Sequence, residues 1–511
     1  MSMQTLKTPV SLCVALFLAA CTSVVKEQPY TDDENRDRAK ADQVKMYADQ
    51  EPVTGPITFY EAAARALKYN LDYRLKLMES ALSANLRDVS SHEMLPRLVA
   101  SAGRSGRSND SGGTSIGIED RQISLRPSTS EERYHTIAGL GLSWSTLDFA
   151  VGYYRTAQRS DQILMAEERR RKVAQNVLQD VRSAYWRALG AQRLLPQVDG
   201  LLARTNDALR QAREAQDRGL LPRQEILAYQ RALLDSVSLL TQRRQDLEFA
   251  QAELRALMSL PTNQPMQLVD VTDPPLPKLG ADISQLEQVA LVRRPEIQEE
   301  WYRQRVNQRD LEIAKAQLWP SVGVDLSTRY DSNQYLYNSH WQAAGIEVSI
   351  NLLRLLQLPS LNASQQTQNE TDEMRRVALS MAVLTQVRIG ALRYGLAMQE
   401  LQFANESLVV DTNLLDYARS ARKTSLGSEL ELIRAEGRFL LSRYQREAAQ
   451  ATAQASWGRL YNSVGLDVFP TTIENYDIKT LAGEIERMTQ TMETQRLRGA
   501  VSGVDSPSLA K

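Results

Sequence analysis

The 511-residue chain contains little cysteine or histidine. Its two cysteines are Cys13 and Cys21, and its three histidines lie far apart at positions 92, 135 and 340. This spacing matches no metal-ligand pattern, and we find no phosphate-binding loop and no nucleophile motif. We therefore expect no metal, no cofactor and no catalytic residue, and we predict that the protein is not an enzyme.

The chain also lacks an excess of charge of either sign. It has 61 lysines and arginines against 62 aspartates and glutamates, which gives a formal net charge of -1. Such a balance creates no global field that attracts a polyanion, so we predict no nucleic-acid partner. After residue 20, no run approaches the roughly 18 consecutive apolar residues of a membrane helix. Contact with a bilayer must therefore use strands or a lipid anchor.

The first 20 residues predict a secretory signal peptide. Lys7 is the only early charge, the apolar run from Val10 to Leu18 is too short to span a bilayer, and small residues follow it. Leu18-Ala19-Ala20-Cys21 resembles the bacterial lipobox, in which the cysteine becomes the lipidated first residue. We predict lipidation at Cys21 and a lipidated linker over residues 21–56. The alternative is ordinary cleavage near Cys21 without lipidation.

Two consequences follow from this amino terminus. By resemblance, Thr22 lacks the aspartate that retains many such lipoproteins at the inner membrane, which favours an outer-membrane lipid anchor. Removal of Cys13 with the signal leaves one cysteine, so no intrachain disulfide is possible in the mature chain.

Four short segments alternate apolar and polar residues with period two. In the third, the alternation places Val322, Val324 and Leu326 on one face of a strand, which suits a wall between lipid and water. Four strands cannot close on themselves, and a bilayer cannot satisfy an open sheet edge, so several chains would have to share one barrel. The alternative is a soluble antiparallel sheet, which shows the same alternation. The segments are Leu98–Ala102, Ala138–Trp144, Val322–Thr328 and Ile346–Leu352.

Most of the remaining chain predicts long helices. Between Tyr154 and Asp217 the only proline is Pro196, and helix-forming residues dominate. Later segments repeat apolar residues at seven-residue intervals, which is typical of coiled-coil packing, although a soluble helical bundle shows the same pattern. The first such series is Ile226, Leu233, Leu240, Leu247 and Leu254, and a weaker one is Val377, Leu384, Ala391 and Met398.

The two halves of the chain match, which indicates an internal duplication. Leu95-Pro96 corresponds to Trp319-Pro320, where proline ends a helix and a strand begins. Polar loops follow at Arg104–Arg133 and Asp331–Ser339. We predict a helix-strand-strand-helix-helix repeat over residues 57–264, a proline-rich connector over 265–282, a second repeat over 283–466 and a tail over 467–511 whose end is disordered.

In this order of elements the chain resembles the outer-membrane factor family, the TolC-like channels, over about residues 57–466. Further features are Arg294-Pro295-Glu296 and the glycines at the helix breaks, Gly219 and Gly427. The resemblance implies a mainly α fold with a small β part: a long coiled-coil-like helical barrel, with four strands per chain in a trimeric 12-stranded outer-membrane β-barrel. It also implies a homotrimer whose helices lie in the periplasm.

By the same resemblance, the helix breaks lie at the periplasmic tips. The tips dock an adaptor protein, and a neighbouring acidic ring narrows the inner mouth. Glu431 is the best match to the first acidic position, while Arg434 occupies the second and could instead pair with Glu431 or Glu225. The alternatives are an ordinary solvated helix face for the glutamates and a helix cap for Arg218. The docking candidates are Arg218, Gly219, Leu220, Leu426, Gly427 and Ser428, and the constriction candidates are Glu225, Glu429, Glu431 and Arg434.

Three functions remain open at this point. The first is a passive duct for small molecules such as drugs, partnered by a periplasmic adaptor and an inner-membrane pump. The second is the outer duct of a type I protein secretion system. The third is a non-conducting, lipid-tethered coiled-coil scaffold, which does not explain the paired amphipathic strands.

Overall fold

A computed structural model describes residues 29–114, 116–218, 222–261, 264–271, 276–277, 282–423, 429–473 and 475–494. The predicted signal peptide, Cys21 and the end of the tail lie outside these ranges. Residues up to 50 form a unit of their own. It contains helix α1 (Asp32–Met46), which begins with a capping box between Thr31 and Glu34 and buries no side chain.

The remaining residues form a second unit in which the same series of elements occurs twice. The prediction of a mainly helical, internally duplicated chain with a small sheet is therefore confirmed. The first series is α2 (Phe59–Tyr69), α3 (Leu71–Ser91), β1 (Arg97–Gly106), β2 (Tyr134–Ser145), α4 (Thr146–Asp217) and α5 (Arg223–Leu257). The second is α6 (Ile283–Arg293), α7 (Pro295–Ala316), β3 (Ser321–Asp331), β4 (His340–Ser349), α8 (Leu358–Lys423) and α9 (Glu429–Val464), followed by α10 (Ile478–Thr494).

Capping residues determine where the long helices begin. Helix α4 starts eight residues before the predicted segment because the Ser145 hydroxyl accepts a hydrogen bond from the backbone N–H of Asp148 at 3.0 Å. Its 72 residues correspond to about 108 Å of helix at 1.5 Å per residue. Pro295 occupies the first turn of α7, where its missing N–H leaves no helical hydrogen bond unmade.

The first predicted heptad series is confirmed, and the second is wrong as a core pattern. The five α5 residues from Ile226 to Leu254 are all at most 5 % exposed. In α8, Val377 is 55 % exposed, and of the predicted series only Ala391 is buried. The buried stripe instead follows Val383, Val387 and Tyr394, because these residues face α6, α7 and α9.

The helices form one layer around α4. Helix α4 packs against α3 and α7 in one region, and against α5 and α9 in another, while α8 packs against α7 and α9. The shorter helices α2, α6 and α10 cover one side of this layer. Their apolar cores include Leu67, Tyr185 and Ile485 in one cluster and Leu286, Trp457 and Leu460 in another.

The strands form one antiparallel sheet in the order β1-β2-β3-β4. The fourth strand lies earlier than the predicted segment Ile346–Leu352. It ends at Ser349 because the side chain of Asn351 accepts hydrogen bonds from the backbone N–H groups of Leu353 and Arg354, which start a 3-10 turn. Within the described ranges, no helix has both the length and the hydrophobicity needed to cross a membrane.

Candidate functional site: the open edges and the helix tips

The sheet has one apolar and one polar face, as the alternation predicts. Its register places Leu98, Leu142, Leu326 and Ala344 side by side across all four strands, and residues paired in this way share a face. The same face carries Trp144, Val324 and Ile346. The opposite face carries mainly small or polar residues, among them Ser101, Gly139, Arg329, Asp325 and Glu347, with Val99, Ile137 and Trp341 as apolar exceptions.

Both edges of this sheet are open in the described part of the chain. Strand β1 pairs only with β2, and β4 pairs only with β3, so the outer backbone groups of β1 and β4 have no strand partner there. An edge of this kind is a template for pairing with another strand. Because β1 and β4 belong to opposite edges, a second copy of the chain can pair its β4 with the first copy's β1.

The helical layer has an exposed apolar stripe at each edge. On α3, six apolar residues recur at intervals of three or four and are exposed, while the opposite side of the helix buries Tyr73 and Ser80 against the chain. On α8, a similar stripe lies opposite the buried Val383 and Val387. We call these the α3 edge stripe (Leu71, Leu75, Met78, Leu82, Leu86 and Val89) and the α8 edge stripe (Met374, Val377, Met381, Leu392, Leu396, Phe403, Val410, Leu414 and Tyr417).

Sequence reasoning did not identify these stripes, although the signal was present. The spacing from Leu71 to Val89 is that of a coiled-coil seam. Periodicity alone cannot show whether such a seam packs within its own chain or against another. Contiguous exposed apolar surface of this kind marks an interaction surface in a folded protein.

Of the predicted docking residues, Arg218 lies within the described part of the chain. Arg218 is exposed and forms the C-terminal cap of α4, where its backbone N–H donates to the carbonyl of Glu214 at 3.1 Å. The other docking candidates, Gly219, Leu220, Leu426, Gly427 and Ser428, lie outside the described residues.

The constriction candidates lie in the first turn of α5 and the first two turns of α9. Glu225, Glu431 and Arg434 are exposed, and the ranges that the structure covers contain no ion pair between Arg434 and Glu225. Glu429 is half-buried and forms an ion pair with Arg422 of α8, with 3.2 Å between Nε and Oε2. Burial raises the pKa of Tyr229, and the charge of Glu429 raises it further. A single chain therefore places acidic side chains at the starts of α5 and α9.

Contacts between α4 and α9 extend along the helices above the tips. Arg204 pairs with Glu436, Arg443 donates to Gln197 at 2.8 Å, and Arg193 pairs with Glu447 at 3.1 Å. These charged groups fix the lateral position of α9 against α4. Elsewhere in the covered ranges, no three His, Cys, Asp or Glu side chains come together as metal ligands.

Comparison with solved structures identifies relatives of this fold. The chain is similar to the outer-membrane channel OprN, with a TM-score of 0.58, 17% identity, and coverage of 80% of this chain and 90% of that one. It is also similar to the Campylobacter jejuni CmeC outer membrane channel, with a TM-score of 0.62, 12% identity, and coverage of 91% and 97%. For the open state of the Neisseria gonorrhoeae MtrE outer membrane channel, the TM-score is 0.59 and the identity is 16%, with coverage of 80% of this chain and 89% of that one.

Sequence comparison gives a narrower match. A search of curated protein sequences found no match. Residues 76–259, from α3 to the end of α5, match the family described as outer membrane efflux protein. The solved channels therefore share the fold of this chain, and the family match covers about a third of its length.

Proposed function

We propose that three copies of the chain form a passive channel that carries small molecules across the periplasm and the outer membrane. The observation that carries this proposal is the coincidence of open edges in both layers of one chain. Strands β1 and β4 lack outer partners in the described part of the chain, and α3 and α8 carry exposed apolar stripes at opposite edges of the helical layer. The sheet and the helical layer therefore both need a neighbouring copy at each edge, and in both layers the copies follow one another in the same direction around the barrel axis.

Closure of the sheet gives a barrel with the polarity that a channel needs. Three chains contribute twelve strands, and closure leaves no unpaired edge in the bilayer. The face with Leu142, Leu326 and Ile346 then lies against lipid, and the face with Gly139, Ser101 and Asp325 lies against water. Cargo diffuses through the continuous duct, and the energy comes from a partner. In this proposal the chain performs no catalysis, because the members of the family that residues 76–259 match are passive channels.

The described ends of α4 and α8, which lie at the far end of each helix from the sheet, support a proposal about the partners. We propose that the tips between α4 and α5, and between α8 and α9, dock a periplasmic adaptor that joins the channel to an inner-membrane pump. Docking residues are Arg218, Gly219, Leu220, Leu426, Gly427 and Ser428. We further propose that lipid attached to Cys21 anchors the chain at the outer membrane.

The type I secretion duct is the second candidate for the same architecture. Both functions use a trimeric tunnel, and they differ in the pump and the size of the cargo rather than in any described feature of this chain. Lipidation favours small-molecule efflux, because drug-efflux channels often carry this anchor.

The first experiment measures the mass and the conductance of the detergent-extracted protein. We expect a trimer by light scattering and discrete conductance steps in a planar bilayer. A conducting trimer supports the shared tunnel. A monomer without conductance overturns it and returns the scaffold function to first place.

A pair of α8 variants tests whether the edge stripe holds the trimer together. Leu392 and Leu396 are 65 % and 64 % exposed in one chain, so a charge at either site costs the monomer little. At a packed interface, the same charge is buried without a partner. We expect Leu392→Glu and Leu396→Glu to yield monomers with an unchanged helical circular dichroism spectrum. The matched control is Asn369→Glu, which adds the same charge to an exposed α8 site off the stripe and should remain trimeric.

A further inference from the structure

A groove lined by basic side chains lies between α4, α8 and α9, beside the start of α7. Its lining includes four cationic side chains, Lys172, Arg294, Arg393 and Arg459, and the amide groups of Asn176 and Gln179. The proposed gating and docking residues are elsewhere, at the tips. We call this surface the basic groove.

Positive charge exceeds negative charge in the basic groove. Glu296 pairs with Lys172 at 2.8 Å and with Arg294 at 3.0 Å, so one carboxylate is shared between two cations. Asp180 is a second carboxylate near the groove, since it interacts electrostatically with Arg459, and burial raises its pKa, as does the charge of Glu253. Burial lowers the pKa of Lys172, and the repulsive charge of Arg294 lowers it further.

Two of the four cations, Arg393 and Arg459, have N–H groups available to bind a ligand. The guanidinium groups of Arg393 and Arg459 are exposed, and in the described part of the chain neither makes an ion pair or a side-chain hydrogen bond. Arg294, by contrast, is 4 % exposed and donates to the carbonyl of Asn462 at 3.1 Å and to the side chain of Gln386 at 2.7 Å. Arg294 therefore stiffens the floor of the groove, while Arg393 and Arg459 remain available to a ligand.

Helical periodicity places the basic groove on the uncovered side of the layer. On α4, positions 172, 176 and 179 lie roughly opposite Ala174, Val181 and Tyr185, which pack under α2 and α10. On α9, Arg459 lies roughly opposite Trp457 and Val464, which pack under α6. In a trimer, the helices α2, α6 and α10 of three copies do not fit inside the narrow tube that the helical layer forms, so they must lie outside it. The groove is on the other side of the layer and therefore faces the lumen.

We propose that the basic groove binds the oxyanion of a small anionic solute, a carboxylate or a phosphoryl group, on its way through the channel. A planar guanidinium presents paired N–H donors that match two oxygens of either group. That the groove opens into a tunnel rests on the proposed function, and there three copies form a ring of basic grooves. The binding itself needs only one chain, because all the lining residues belong to one copy.

The test is equilibrium dialysis of the full-length, detergent-solubilised protein against radiolabelled inorganic phosphate and, separately, against labelled benzoate at low ionic strength. The double variant R393Q/R459Q removes both available guanidinium groups. We expect binding about tenfold weaker or more, since hydrogen bonds to charged groups are among the stronger polar contacts. The matched control R210Q/R231Q removes two exposed arginines, each paired only along its own helix, and should bind as the wild type does.

Absence of binding of both probes by the wild type overturns the proposal, as does equal binding by R393Q/R459Q. Binding of phosphate alone, or of benzoate alone, assigns the phosphoryl or the carboxylate class. A separate measurement tests the position in the tunnel: reversal potentials in a salt gradient should shift toward cations in R393E/R459E and not in R210E/R231E. Loss of oxyanion binding without this shift contradicts the tunnel, not the site, which separates the two failures.

Discussion

The backbone of Gly465 lies directly against the backbone of Arg293. Gly465 has a φ of +76°, and a Cβ atom at this position would lie 2.9 Å from the carbonyl carbon of Arg293 and 2.9 Å from the Cα of Arg294. This contact joins the end of α9 to the junction of α6 and α7. The end of the second repeat therefore needs glycine for both its conformation and its close approach.

Gly465→Ala should destabilise the protein by about 1–3 kcal/mol, because alanine is strained at positive φ and its methyl group would collide with backbone. Thermal unfolding followed by circular dichroism, at one fixed protein concentration, measures the effect. The control is Gly483→Ala in the exposed interior of α10, where a Cβ meets nothing within 4 Å. There we expect a gain of about 0.5–1 kcal/mol. An unchanged melting temperature for Gly465→Ala would contradict the close approach.

Arg294→Met should be among the most destabilising single changes in the chain. The substitution leaves the carbonyl of Asn462 and the side chains of Gln386 and Glu296 without their buried donor. Breaking a buried charged pair from one side costs about 3–5 kcal/mol. The matched control is Arg231→Met, which removes an exposed pair with Asp235 within one helix and should change stability by less than about 0.5 kcal/mol. Similar melting temperatures for the two variants would show that Arg294 contributes no more to stability than the exposed Arg231 does.

Glu296 and Glu493 should affect stability with opposite dependence on pH. Burial alone would raise the pKa of Glu296, but Arg294 and Lys172 lower it below 4.5. Its stabilisation is therefore present above the unfolded pKa, and it is lost as the pH falls through the lower folded value. Burial raises the pKa of Glu493 above 4.5, although Arg182 and a hydrogen bond from Trp457 oppose this. Ionisation of Glu493 therefore disfavours the folded state as the pH rises through the unfolded pKa toward the higher folded one.

Neutral variants measure these two contributions. At pH 7 we expect Glu296→Gln to lower the melting temperature, and we expect Glu493→Gln to leave it unchanged or raise it. The difference in melting temperature between Glu296→Gln and the wild type should decrease as the pH falls from 6 to 3, because the stabilisation by the Glu296 carboxylate is lost on protonation. A deficit that is constant over this range would mean that the Glu296 carboxylate does not titrate with folding.

The sequence predicted the elements that residues within the same segment determine. It missed the features that depend on which other helices pack against a segment. Leu95-Pro96 and Trp319-Pro320 identify strand starts because proline ends a helix within the segment itself. The α5 heptad was correct because α5 packs mainly against one neighbour, α4. The α8 series failed because α8 contacts different helices along its length, so its buried face departs from a strict seven-residue interval. The edge stripes are exposed in a single chain, and the copies that would cover them in the proposed trimer cannot be identified from one sequence.

Glu431 provides the sharpest test of the predicted constriction. If the three tips converge, three copies of this exposed first-turn glutamate crowd like charges around one opening and favour cations. Glu431→Ala should then raise the single-channel conductance of the purified trimer or reduce its preference for cations. The control is Glu486→Ala on α10, which removes an exposed carboxylate away from the tips and the edge stripes and should leave both quantities unchanged. If both variants conduct as the wild type does, Glu431 lies on an ordinary solvated helix face, and the constriction must be sought at Glu225 or Glu429.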